Sequence, residues 1–221
     1  MRTHDPRGAL RTAFAAFTLL CSGTPLLGQC SPQWLPGTAA GGCDGQVYSV
    51  LEMPNGDLVA AGSFVVADGV VANNIARYDG TTWLALGGGT SGAVACLARL
   101  PNGDIVAGGQ FTNAGGVAAA NIACWNGAAW TPMGTGMNGA VSALLVLPNG
   151  NLLAGGVFTL ADGMSVGRLA EWNGTTWSWN GLGVNAQVTT LELLSTGDVL
   201  VGGSFTLAGG LPARALAIWN G

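Results

Sequence analysis

The chain has no lysine, a single histidine (His4) and only 8% charged residues, where roughly 25% is usual for a soluble domain. Clustered Lys and Arg are what grip a phosphate backbone, so this composition argues against a nucleic-acid partner. Long apolar runs are missing as well. None reaches the ~18 residues that a helix needs to cross a bilayer, which excludes a polytopic helical membrane protein. The shortage of charge does not signal disorder, because the hydrophobic fraction is 49% and disorder requires low hydrophobicity with high net charge. A coiled coil is excluded too, since its charged and helix-forming residues are scarce. Glycine is the residue in excess, 38 of 221 and more than twice the usual ~7%. These proportions predict a glycine-rich, all-β domain.

The first residues read as an address. Arg2, Arg7 and Arg11 form a positive front, Ala13 to Cys21 a short apolar stretch, and Ser22 to Gln29 a region of small and turn-forming residues. That layout predicts a secretory signal peptide over 1–29, cleaved near Gly28 or Gln29, and an exported protein that is secreted, periplasmic or held at the cell surface. Leu27-Gly28-Gln29-Cys30 resembles a bacterial lipoprotein box, but bulky Gln29 stands where that motif wants a small residue, which favours the free form. Without the leader the chain keeps Arg77, Arg99, Arg168 and Arg214 against ten acids, a net charge of about −6, with no lysine or histidine. Anionic membrane surfaces are poor partners for such a chain.

A repeat dominates everything after the leader. Val47, Val94, Val141 and Val188 are each 47 residues apart. Phe64, Phe111, Phe158 and Phe205 share a second column, and Ala61-Gly62, Gly108-Gly109, Gly155-Gly156 and Gly202-Gly203 a third. Tyr78-Asp79-Gly80, Trp125-Asn126-Gly127, Trp172-Asn173-Gly174 and Trp219-Asn220-Gly221 follow, with Trp83, Trp130 and Trp177 five residues after the first aromatic. No insertion or deletion interrupts the period after Val47.

Each repeat reads as four short strands. In the first copy, Val47 to Met53 meets Asp57 to Phe64 across Pro54-Asn55-Gly56, a strong hairpin signal because Asn and Gly both tolerate positive φ. A third strand near Asn74 to Tyr78 turns through Asp79-Gly80 into a fourth around Trp83. A loop of roughly eight residues should join strands two and three, within the range of ordinary connections. Four strands in a 40–50-residue period indicate a β-propeller blade; a parallel β-helix has shorter coils without these hairpins. The last copy stops at Gly221, before its fourth strand. Gln33-Trp34-Leu35-Pro36-Gly37 supplies a candidate, with Trp34 in the part of Trp83, and Trp34 to Gly221 is 188 residues, four periods of 47. The expectation is a domain over 30–221 with four four-stranded blades, starting at 47, 94, 141 and 188, closed into a ring by the strand 33–37. An open arc, or two chains sharing a larger ring, are the alternatives.

The diglycine at the end of strand two, followed by an aromatic pair around a tight turn, resembles the kelch type of propeller repeat. Gly-Gly-x-Phe-Thr, Ala-Gly-Gly, Ile-Ala-x-Trp-Asn-Gly and Trp, recurring at residues 108 to 130 and 202 to 221, are more similar to the surface propeller of cell-polarity cortical marker proteins and related repeats of secreted bacterial proteins. The resemblance covers about 34 to 221 and implies a fold rather than a common reaction.

Within a repeat, residues that break their column are the candidates for function. Trp179 stands where Ala85 and Pro132 stand in other copies, and is a candidate ligand contact. Arg77 and Glu171 share a column with Cys124 and Ile218 and are candidate contacts on one face; Tyr48, Arg99 and Glu192 also break their columns. The acids Asp57, Asp104 and Asp198, with Asn151, follow a hairpin turn and suit turn stabilisation. Asp68 and Asp162 lie in the longer loops, where no D-x-D-x-D run exists to bind calcium. Cys30 and Cys43 flank the proposed closing strand and could form a disulfide, worth ~3 kcal/mol by loop entropy. Cys96 and Cys124, two strands apart at ~9.6 Å, should remain buried free thiols.

Exported without histidine, the chain can form no Ser-His or Cys-His pair. His-ligated zinc or copper is impossible, and no C-x-x-C offers a thiolate site, so the copper chemistry of galactose-oxidase-type propellers is excluded on ligands. No cofactor or metal is expected. A pair of carboxylates remains available for glycoside cleavage. The sequence is read as an exported binding or surface-interaction module for a protein or carbohydrate, with a homo-oligomer among the expected partners. The alternatives are a carboxylate-dependent glycosidase or lyase, and a structural repeat of a cell envelope.

Overall fold

The computed structural model describes residues 41–179 and 181–221. The leader, Cys30 and the closing strand 33–37 with Trp34 lie outside the described residues. Blade 1 contains β1 (Gln46–Glu52), β2 (Leu58–Ser63), a small hairpin of β3 (Val66–Ala67) and β4 (Val70–Val71), then β5 (Ile75–Tyr78) and β6 (Trp83–Ala85). Blade 2 contains β7 (Val94–Arg99), β8 (Ile105–Gly109), β9 (Asn113–Ala114), β10 (Val117–Ala118), β11 (Ile122–Trp125) and β12 (Trp130–Pro132). Blade 3 contains β13 (Val141–Val146), β14 (Leu152–Gly156), β15 (Leu160–Ala161), β16 (Met164–Ser165), β17 (Leu169–Trp172) and β18 (Trp177–Ser178). Blade 4 contains β19 (Val188–Leu193), β20 (Val199–Gly203), β21 (Leu207–Ala208), β22 (Leu211–Pro212) and β23 (Leu216–Trp219).

The main sheets are antiparallel meanders, β1-β2-β5-β6, β7-β8-β11-β12 and β13-β14-β17-β18, and β19-β20-β23 is three-stranded among the described residues. The first strands are neighbours in succession, β1 beside β7, β7 beside β13, β13 beside β19. Each main core cluster lies between two blades rather than inside one. Val59, Ala61 and Ile75 of blade 1 pack with Val94 and Phe111 of blade 2. Ile122 packs with Val141 and Phe158 across the next joint, and Leu169 with Val188 and Phe205 across the third. The repeated valine and phenylalanine columns are therefore the inter-blade core, and all four phenylalanines are buried. Among the described residues no strand of blade 1 lies beside a strand of blade 4 in the way the first strands of successive blades do, so these residues form a row of four blades.

The diglycine has two separate causes. Each first strand carries a β-bulge opposite the second glycine, between Val141 and Ala143 in blade 3. A Cβ on Gly156 would stand 2.1 Å from the Ala140 carbonyl oxygen. The first glycine faces the next blade, where a Cβ on Gly155 would meet Val188 Cγ1 at 2.6 Å.

The segment between strands two and three, expected as a plain loop, holds a two-stranded hairpin in every blade. Its turn has positive φ at both central residues, Asp68 (46°) and Gly69 (79°) in blade 1, Gly115 (57°) and Gly116 (82°) in blade 2. That is the type I′ geometry, whose twist suits a tight hairpin. Strands of two residues carry too little hydrophobic alternation to be read from sequence, which is why only the turn was visible.

A side-chain clamp ties each hairpin down. Asp44 Oδ1 accepts the N–H groups of Val65 and Val66 at 2.8 and 2.9 Å. Ser91, Asn138 and Asn185 make the same two bonds one period apart each. The aromatic columns pair across strands three and four, with ring centroids 5.2 Å apart for Tyr78–Trp83, 5.5 Å for Trp125–Trp130 and 5.2 Å for Trp172–Trp177. The indoles of Trp130 and Trp177 also donate to the Leu86 and Met133 carbonyls at 2.9 Å, in each case across 44 residues.

Candidate functional site

A meander of antiparallel strands places the turns between strands one and two, and between three and four, at the same edge of every blade. At that edge, between blades 1 and 2, lies a groove of about 340 Å³. Asn55, Asp57 and Arg77 line it from blade 1, and Asn102, Asp104 and Trp125 from blade 2. Asn55 and Asn102 follow the hairpin prolines Pro54 and Pro101, and each closes an Asx turn by accepting the N–H of the aspartate two residues on. Their amide groups donate back to Asp57 and Asp104 at 2.7 and 2.8 Å.

The column of Arg77 explains itself against the column of Asp57, twenty residues earlier. Arg77 forms an ion pair with buried Asp57 at 2.6 Å. In blade 2 the Cys124 thiol lies 3.8 Å from Asp104, and in blade 3 Asn151 donates to Glu171 at 2.6 Å. Blade 4 opposes Asp198 with Ile218. The structure therefore places Arg77 at the groove and Glu171 away from it in blade 3, each tied to its own blade's turn. Sequence reasoning missed Asn102, Asp104 and Trp125 as groove residues. The signal was present in the matched changes of the two columns, Asp with Arg and Asn with Glu, but only the register of strands two and three shows that these columns touch.

Trp179 is half-buried and packs on Trp219, their ring centroids 5.2 Å apart. Its indole N–H is buried and has no acceptor among the described residues. The two rings, with Gly181 and Gly209, border a second pocket of about 170 Å³ at the outer edge of blade 4. This pocket repeats the seat of Trp130, which rests on Gly87, Gly115 and Trp125 two periods earlier.

The loop acids serve the backbone. Asp162 Oδ1 accepts the N–H of Thr135 at 2.8 Å, and that bond holds its carboxyl below the usual range. Asp68 likewise accepts the N–H of Gly41. Among the described residues no group of three His, Cys, Asp or Glu could hold a metal ion. The thiols of Cys43, Cys96 and Cys124 form no disulfide with one another. Burial pushes the Cys96 thiol up to about 12, and burial together with the Asp104 charge pushes Cys124 up to about 11. The proposed partner of Cys43, Cys30, is outside the described residues.

Residues 54–81 and 100–126 match the family model described as a domain of unknown function (DUF5122) β-propeller. Each match runs from the first hairpin turn of a blade to the end of its third strand or just beyond. The fold is propeller-like. No curated protein matches the chain. Among solved structures, the extracellular domain of BT4673 from B. thetaiotaomicron is similar at 12% identity and a TM-score of 0.49, covering 78% of this chain and 21% of its own. The WD40 β-propeller domain of Doa1 is similar at 16% identity and 0.48, covering 73% and 49%. PorZ, a surface component of the type-IX secretion system of Porphyromonas gingivalis, is similar at 16% identity and 0.48, covering 78% and 27%. The chain thus spans about a fifth to a half of the lengths of these structures.

Proposed function

We propose that this chain is an exported β-propeller module that binds a saccharide, free or on a surface, in the groove between blades 1 and 2. The observation that carries this reading is the groove's composition: an indole face at Trp125 beside the Asn55, Asp57, Arg77, Asn102 and Asp104 side chains, within about 340 Å³. An aromatic wall and convergent polar groups are what an orienting pocket needs, and its volume is that of a small-ligand site. The leader over 1–29 delivers the chain outside, and the kelch-like resemblance to cortical marker propellers agrees with a surface role.

The test titrates the full chain with a panel of defined oligosaccharides and follows tryptophan fluorescence. A saturable change with at least one glycan is expected, weakened tenfold or more by the paired substitutions Asp57→Asn and Arg77→Gln, which keep a hydrogen bond and remove the charges. Silence across the panel, or unchanged affinity in that variant, overturns the reading. Asp57 and Asp104 line one groove, which also suits a carboxylate-dependent glycosidase or lyase; new reducing or unsaturated ends after incubation would establish that second reading.

A further inference from the structure

The residue that follows the first hairpin turn meets a different neighbour in each blade. Blade 1 sets Arg77 against Asp57 at 2.6 Å, and blade 3 sets Glu171 against the neutral Asn151 at 2.6 Å. Blade 2 breaks this matching. Cys124 lies opposite Val106 just as Arg77 lies opposite Val59, so the two occupy the same place in their blades. Asp104 therefore meets a neutral thiol, at 3.8 Å, where blade 1 supplies a guanidinium.

The consequence falls on the groove between blades 1 and 2. Asp57, Arg77 and Asp104 are the charged residues that line it. Asp57 is buried and Arg77 cancels its charge, so one net negative charge remains, on half-buried Asp104. The Asn102 amide and the Cys124 thiol both donate to Oδ2 of that carboxylate, and Oδ1 accepts no hydrogen bond among the described residues. A carboxylate offers about four lone-pair positions, so Asp104 keeps acceptor capacity for a ligand. Half-buried Trp125 lines the same groove, and an indole face attracts a cation within ~6 Å of its centre.

We infer that the groove takes a sugar bearing a protonated primary amine, with the ammonium held by Asp104 Oδ1 and the Trp125 ring. The inference rests on the saccharide reading of this groove and names the class of sugar. An N-acetylated sugar presents an uncharged amide in place of the ammonium and forfeits the ion pair. A uronic acid would set its carboxylate beside Asp104, and the guanidinium that could offset this is already committed to Asp57.

Asp198 separates the groove from the turn. It too lacks a cation, since Ile218 occupies the place of Arg77 in blade 4, and its carboxylate accepts the Thr196 hydroxyl at 2.7 Å. The fold thus tolerates an unpaired carboxylate at this turn, and Asp198 does not line the groove. What distinguishes Asp104 is its place on the groove wall beside an indole.

The test titrates the full chain with oligosaccharides of glucosamine and of N-acetylglucosamine, equal in length and linkage, and follows tryptophan fluorescence. The glucosamine form should bind about tenfold more tightly, the sum of a partly exposed ion pair and a cation–π contact. That preference should shrink in about 1 M salt, where charges are screened beyond ~3 Å. Asp104→Asn should bring the two affinities to within about twofold of each other, and the turn accepts an amide, because Asn151 stands there in blade 3. Cys124→Arg should also erase the preference, by giving Asp104 the cation that Asp57 has. Asp198→Asn, outside the groove, should leave the ratio as it was. Equal affinity for both forms, a ratio unmoved by Asp104→Asn, or one that Asp198→Asn moves as much, would each overturn the inference. So would stronger competition by Nα-acetyl-lysine amide than by glucosamine itself, which would assign the ammonium to a protein. Binding of neutral and amino sugars alike leaves the saccharide reading standing and removes only this inference; no binding of any saccharide removes both.

Discussion

Adjacent glycines in blade 3 should respond to the same substitution by very different amounts. A Cβ at Gly155 meets a side chain, Val188 Cγ1 at 2.6 Å and Leu191 Cδ1 at 3.5 Å, and blade 1 already carries Ala61 at this position. The valine can shift slightly, at an overpacking cost of ~1–3 kcal/mol. Against this stands a gain of ~0.4–1 kcal/mol, because alanine restricts the unfolded chain. Gly155→Ala should therefore lose about 0–2.5 kcal/mol. At Gly156 the obstacle is the Ala140 carbonyl oxygen at 2.1 Å, which is held in the bulge and accepts the Val157 N–H at 3.0 Å. Relief requires breaking that bond inside the core, ~1–3 kcal/mol for the stranded groups, with packing strain added. Gly156→Ala should lose ~3–5 kcal/mol, a drop in Tm of roughly 6–20 °C for a domain of this size. Urea and thermal unfolding of the two variants measure the difference directly. A Gly156→Ala protein within about 1 kcal/mol of the parent, or a Gly155→Ala protein that is the less stable of the two, would refute the assignment of one glycine to the bulge and the other to the joint.

Asp79 and the thiols give two further tests. Backbone and hydroxyl donors of Thr82 and Thr81 hold the Asp79 carboxyl down at about 2, against 3.8 without them. A lowered folded value contributes stability that is present above pH ~4 and lost as pH falls through 2, and Asp79→Asn should remove that part of the acid sensitivity. The turn itself should survive, since Asn126 and Asn173 accept the same pair of backbone N–H groups in blades 2 and 3. An Asp79→Asn protein with the parent's acid unfolding curve would count against the shift. Cys96 and Cys124, with thiols raised to about 12 and 11, should ignore a disulfide reagent at pH 8 until the chain is unfolded by denaturant. Rapid labelling of either in the native protein would show that its thiol is open to solvent.

Much of the architecture was legible because the repeat writes each structural requirement four times. The 47-residue period, the Asn-Gly turns and the aromatic pairs locate the four main strands of a blade to within one or two residues. The small hairpins were not legible, since two-residue strands have no periodicity and their I′ turns look like ordinary loop glycines. The groove was half legible. Arg77 stood out by breaking its column, but Asn102, Asp104 and Trp125 are ordinary members of theirs and acquire a role only because blade 2 lies against blade 1. Trp179 was conspicuous for the same reason as Arg77, whereas its contact with Trp219 joins two repeats and has no trace in either.

The sequence by itself determined what is local and repeated: strand order within a blade and the columns that become core. These follow from residue type and spacing, which backbone geometry translates directly into strands and turns. Only the tertiary structure decided which columns touch and why the two glycines of each pair are needed for different reasons. Those outcomes depend on the angle at which one blade packs on the next. That angle is set by side chains from two repeats at once, and no single repeat encodes it.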